Sequence, residues 1–184
     1  MKMDRHIQRL IDAISLVEPK YEVYTTISPN REALVKRGER VYAYELYHQY
    51  RCLMERDKVT DCHLNGEIYK DAKVFNAIDG HSCYPDLILH KAFDKIDEES
   101  QFFLCEIKMR DNPTLLDDLE KLTKLSESEL NFRYYIFLCI GLLMDDLKKN
   151  LKNNTSYYNE NIICICVNEG KIEFDELKHI LNNN

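Results

Sequence analysis

Three charged residues stand where buried strands would ordinarily carry none. Asp86 follows Pro85 and opens the apolar run Leu87-Ile88-Leu89, while Glu106 and Lys108, separated by Ile107, close the run Phe102-Phe103-Leu104-Cys105. Side chains alternate along a strand, so Glu106 and Lys108 share one face and Ile107 takes the other. If the two runs pair as a hairpin, Asp86 meets the Glu106/Lys108 pair at one end of a sheet. Adjacent carboxylates repel unless a cation lies between them, and their hard oxygens suit Mg²⁺ or Mn²⁺. An ammonium beside them is placed to orient a water or to stabilise charge on a phosphate under attack. Each residue alone has a plainer reading: Asp after Pro caps a turn, and Glu-x-Lys alternation is common on solvated faces. What separates the readings is placement within otherwise apolar runs, because buried charge is costly without a partner or a metal.

The elements that must position these groups follow from periodicity. Ile7, Leu10, Ile11, Ile14 and Val17 fall at helical spacing, and Pro19 and Ser28-Pro29-Asn30 then break the chain. A longer helix is predicted over 41–54, with Ala43, Leu46, Tyr47, Tyr50, Leu53 and Met54 as its apolar stripe and Glu45, His48 and Gln49 flanking it. Residues 67–70 and 73–75 read as two short strands with indefinite ends. Strands are predicted over 86–90 and 102–108, joined by the charged loop 94–100, then a leucine-rich helix over 115–125. The near-continuous apolar run 134–140 predicts a strand buried on both faces. A helix over 144–152, a buried strand over 162–167 and a closing helix over 175–181 complete the order. This order predicts an α/β sandwich around a mixed sheet. A single domain over 1–184 is expected, with residues 1–30 readable as an N-terminal helical extension.

Composition narrows the function. The 184 residues carry 25 Lys+Arg against 32 Asp+Glu, a formal net charge of −7, so the surface as a whole repels phosphates and any nucleic-acid contact must be local. With only 5 glycines and neither GxGxxG nor a P-loop, a Gly-rich phosphate cradle is excluded. The 7 cysteines form no CxxC pair, and Cys62, His63, His81 and Cys83 match no common zinc spacing. No signal core precedes the charged start, and the longest apolar run falls short of the roughly 20 residues that span a bilayer. A cytoplasmic protein without a membrane partner is expected.

Pro85-Asp86 followed by Glu106-Ile107-Lys108, with a helix before, a helix after and a further buried strand, resembles the PD-(D/E)xK motif of the restriction-endonuclease-like nuclease superfamily, its uncharacterised bacterial members especially. The likeness runs from about Glu39 to Val167 and includes the stretch Leu116-Asp117-Asp118-Leu119-Glu120-Lys121-Leu122. It implies a restriction-endonuclease-like α/β/α sandwich and an Mg²⁺- or Mn²⁺-dependent endonuclease or exonuclease that hydrolyses phosphodiesters by attack of a metal-bound water. By the same resemblance Asp86, Glu106 and the Ile107 carbonyl hold the metal and Lys108 positions or activates the water. Glu45 on the preceding helix supplies a third acid, with Glu39 and Glu67 as competitors. Lys108→Ala is expected to abolish cleavage and leave the fold intact.

The expected partner is nucleic acid, DNA in the first instance. Lys36, Arg37 and Arg40 form one basic cluster and Lys148, Lys149 and Lys152 another. The acidic total implies modest affinity, a specialised partner, or a homodimer that concentrates one positive face. Two other classes stay open: a non-catalytic nuclease-fold binding or assembly subunit, and an unrelated small-molecule or zinc protein. His48 and His90 read as surface residues.

Overall fold

The sheet is built on the chain's most apolar segments, and its edges are built on its most mixed ones. A computed structural model describes residues 3–27, 30, 33–66, 85–91, 99–110, 114–128, 130–152 and 162–182. In chain order these are α1 (Arg5–Leu16), a 3₁₀ turn (Pro19–Tyr21), β1 (Val23–Ile27), β2 (Ala33–Arg37), α2 (Glu39–Arg56), β3 (His63–Gly66), β4 (Leu87–His90), β5 (Gln101–Met109), α3 (Leu115–Ser126), β6 (Tyr134–Ile140), α4 (Met144–Lys152), β7 (Ile162–Asn168), β8 (Lys171–Glu176) and α5 (Leu177–Asn182). Six strands form a mixed sheet in the order β3-β4-β5-β6-β7-β8, and β1 and β2 form a separate antiparallel ribbon. The three central strands β5, β6 and β7 run parallel, and each outer neighbour is antiparallel. The chain is thus a mixed α/β fold, with helices on both faces of the sheet. No helix among the described residues is long and apolar enough to cross a membrane.

Alternation along the strands feeds two cores. Leu87, Leu89, Phe103, Cys105, Ile107 and Met109 pack with α1 and α2, whereas Ile88, Leu104, Phe137 and Cys139 pack with α3, α4 and α5. Every residue of β5 is buried, Glu106 and Lys108 included. Central parallel strands covered on both faces read as continuous apolar runs, which is why β6 coincides with the sequence expectation, while α4 does so through its buried stripe of Met144, Leu147 and Leu151.

Three elements depart from the sequence reading. Residues 175–176 finish a strand, and the closing helix starts at Leu177. The reversal Glu169-Gly170 has φ of 51° and 79°, the left-handed pair of a two-residue hairpin turn, and it folds the alternating Lys171-Ile172-Glu173-Phe174 back onto β7. Residues 1–30 are not wholly helical, because the β-branched run Val23–Ile27 pairs with Ala33–Arg37. β3 has only Leu64 buried among its four residues, too little pattern to register as a strand. The expected strands 67–70 and 73–75 and most of the loop 94–100 lie outside the described residues.

The N-terminal helix enters the core through a histidine. Asp4 caps α1 by accepting from the His6 N–H at 2.8 Å. The His6 ring stacks on Phe102 with centroids 4.3 Å apart. Burial, helped by the neighbouring Arg5, Arg9 and Arg133 and opposed by Asp4, pulls the imidazole down to about 4. The unfolded chain therefore binds a proton below about pH 6.5 that the folded chain refuses until about pH 4, so stability falls as pH drops through that window. Urea melts should show wild type losing about 2 kcal/mol more than His6→Phe between pH 7 and pH 5. Equal losses would show that His6 is protonated without cost in the fold.

Candidate functional site

The carboxylates gather at the sheet end where β4 begins and β5 finishes. Asp86 stands one residue before β4. Its Oδ2 accepts from the backbone N–H of Ile107 at 2.7 Å, which pins the carboxylate beside the residue between Glu106 and Lys108. Glu106 and Lys108 project to the α3 face, as the alternation of β5 requires, and are only 8% and 9% exposed. Lys108 Nζ lies 3.9 Å from Glu106 Oε2, 3.4 Å from Glu39 Oε2 and 3.4 Å from Asp118 Oδ2. One buried ammonium is thus shared by carboxylates from β5, α2 and α3, with Asp86 close enough for its charge to act on both Glu106 and Lys108.

The two helices approach the site by their N-termini. Glu39 is the first residue of α2, and its Oε1 also accepts from the Met109 N–H at 3.4 Å. Asp118 sits in the first turn of α3, where its carboxylate accepts from Thr114 Oγ1 at 2.9 Å and from Lys121 Nζ at 3.0 Å. Thr114 occupies the N-cap position, makes no cap bond to the helix backbone and donates its hydroxyl to Asp118. The positive ends of both helices stabilise the carboxylates they carry.

Protonation at the site follows from burial and from the neighbouring charges. Burial first, and then the Asp86 charge, push the Glu106 carboxyl well above the usual carboxylate range, against the pull of Lys108. Burial alone would lower the Lys108 ammonium, but Glu106, Asp86, Asp118 and Glu39 together raise it above its ordinary value. Lys108 therefore stays charged.

The structure brings Asp86, Glu106 and Lys108 together and sorts the competing acids. Glu39 touches Lys108, whereas the Glu45 carboxylate accepts from Gln49 Nε2 at 2.7 Å, one turn along its own helix. Glu39 and Glu45 are six residues apart, hence roughly 120° apart around the helix and about 9 Å along it. Glu39 rather than Glu45 contacts Lys108, since α2 begins two residues earlier than expected and lays its first turn over the end of β5. Glu67 lies outside the described residues, as do His81 and Cys83. Cys62 is buried, and burial pushes its thiol up to about 11. His48 is exposed, and His90 shares a 2.8 Å contact with Asn65 Nδ2. Asp118 was not assigned from sequence, yet it had a signal: it lies on the stripe of Leu115, Leu119 and Leu122 rather than on the polar side of α3.

Among the described residues no three His, Cys, Asp or Glu side chains stand at metal-holding spacing. Mg²⁺ is commonly held by one or two carboxylates with water completing its shell, so the Asp86–Glu106 pair and its all-oxygen chemistry fit such an ion. A cleft of about 370 Å³ opens beside Asp86, between α2 and the start of β4, lined by Tyr44, Tyr47, Asn65, Gly66 and Asp86 among others. No family model, curated protein or solved structure matches this chain.

The geometry revises one expectation about Lys108. Its ammonium is the partner of three carboxylates, so Lys108→Ala leaves them facing one another and is not structurally silent. In metal-free buffer Lys108→Ala should cost roughly 3 kcal/mol by urea melts. Adding Glu106→Gln should recover a large part of the loss. A double variant no more stable than Lys108→Ala would show that carboxylate repulsion is not the cause.

Proposed function

We propose that the chain is a divalent-metal-dependent nuclease of the PD-(D/E)xK, restriction-endonuclease-like type, hydrolysing phosphodiester bonds of nucleic acid, with DNA the expected substrate. One observation carries the reading: Asp86 and Glu106 converge with Lys108 at the end of a mixed sheet, where burial and the Asp86 charge hold the Glu106 carboxyl above its usual range. Support also comes from the order of elements, a helix before the β4–β5 hairpin and another directly after the motif lysine. Asp86, Glu106 and the Ile107 carbonyl would hold Mg²⁺ or Mn²⁺, with Glu39 as a further acid. When bound, such an ion supplies Lewis-acid charge at a phosphoryl oxygen and lowers the pKa of water in its shell.

The protein's own groups do the rest. Lys108, kept protonated by its carboxylates, donates hydrogen bonds toward the attacking water and the charge developing on phosphate. Glu39 holds Lys108 from the α2 side and Asp118 from the α3 side, so the ammonium has one position. Asp86 is fixed by the Ile107 N–H, which leaves little reorganisation at the moment of reaction. A second reading, a nuclease-fold subunit without turnover, draws support from the same ion pairs, since a cluster that neutralises itself around Lys108 needs no substrate.

Cleavage assays on linear duplex, single-stranded and branched DNA and on RNA, with Mg²⁺ or Mn²⁺ and an EDTA control, distinguish the two. Cleavage should require the metal, and Asp86→Asn should reduce it about a hundredfold or more. Glu39→Gln should reduce it too, while Glu45→Gln leaves it unchanged. No metal-dependent cleavage of any of these substrates would favour the binding subunit.

A further inference from the structure

Lys108, Glu106 and Asp118 are buried, but the cluster they form reaches the surface through one side chain of α3. Lys121 is 58% exposed, and its Nζ donates to Asp118 Oδ1 at 3.0 Å. The other oxygen of that carboxylate, Oδ2, lies 3.4 Å from Lys108 Nζ. Two ammonium groups are thus held on the two arms of one carboxylate, one inside the fold and one at its surface. The Lys121 charge also acts inward on Glu106.

This is not an ordinary surface ion pair. An exposed lysine usually holds its partner loosely, because ordering the side chain costs about as much as the contact returns in water. The partner here is fixed: Asp118 is buried, accepts from Thr114 Oγ1 at 2.9 Å and faces Lys108. Lys121 is therefore anchored at a set distance from the buried ammonium. An ammonium carries three donors, and the bond to Asp118 uses one of them. Glu120, the acidic residue beside Lys121 in the chain, is engaged by Lys124 at 3.4 Å.

We propose that Lys121 is a substrate-binding residue that holds the phosphate next to the one under attack, so that the site prefers a polynucleotide to an isolated phosphodiester. The position of the attacked phosphate, at Lys108 and the Asp86–Glu106 pair, rests on the nuclease reading. With Lys108 committed there, a second cation one carboxylate away meets the next anionic group along the substrate. A nucleic-acid strand supplies such a group at every nucleotide, and an isolated diester supplies none. The contact positions the backbone and reads no base. Asp118 then acts twice, fixing Lys108 for the reaction and Lys121 for the strand.

Steady-state kinetics of the full-length chain in Mn²⁺ test this on a DNA duplex and on bis(p-nitrophenyl) phosphate, whose single phosphate has no neighbour. Lys121→Gln should raise KM for DNA about tenfold with little change in kcat, the pattern of a lost binding contact to a charged group. The ratio of kcat/KM for DNA to that for the small diester should fall about tenfold, and Lys121→Arg should restore most of it. Binding of the same duplex, followed by anisotropy in EDTA across a salt series, reads the contact without cleavage. There Lys121→Gln should lower the salt slope by about 0.9. A wild type that cleaves DNA and a variant with unchanged KM would overturn the proposal and leave the nuclease reading standing. Equal losses of kcat on both substrates would overturn it too, making Lys121 a support for Asp118 and Lys108. A lower salt slope in the variant, with no hydrolysis by any protein, would keep the phosphate contact and sink the nuclease reading. No hydrolysis and no change in slope would overturn both.

Discussion

The buried ammonium of Lys108 is the constraint on which this end of the molecule depends. A lysine on a fully buried central strand is expensive, and here it is stabilised by carboxylates from three different elements. Those contacts fix where α2 starts, since Glu39 must reach both Lys108 and the Met109 N–H. They also hold the first turn of α3, where Asp118 accepts from Thr114 Oγ1 as well as meeting Lys108.

Glu106 is not eased by these pairings: burial and the Asp86 charge both oppose its ionisation, against the pull of Lys108. An arrangement selected only for stability would replace such a group with an apolar one, because well-packed hydrophobic residues commonly outperform buried ion pairs. Retaining it makes chemical sense if a divalent cation completes the account.

Much of this was legible in the sequence, and the reasons differ by element. β5, β6 and α4 were readable because burial on both faces, or on one helical stripe, leaves a periodic record. The shared face of Glu106 and Lys108 followed from strand alternation alone. Glu45 drew attention because it flanks the apolar stripe of its helix, but position along the axis mattered more than angle around it, and Glu39 at the helix start reaches the site. Asp118 was hidden by its company in Asp117-Asp118, where only its phase against Leu115 and Leu122 betrays it. β1–β2 and β8 were missed because ribbon and edge strands bury little and record little.

The central claim is that the Asp86–Glu106 pair is built for a cation rather than for Lys108 alone. Thermal melts of wild type and Asp86→Asn, each in EDTA and in Mn²⁺, test it most directly. The account predicts that Mn²⁺ raises the wild-type melting temperature and leaves Asp86→Asn unmoved. It also predicts that Asp86→Asn in EDTA is at least as stable as wild type, because neutralising one carboxylate relieves the other. A mutant less stable than wild type, with no metal effect on either protein, would contradict it and make the cluster a purely architectural ion network.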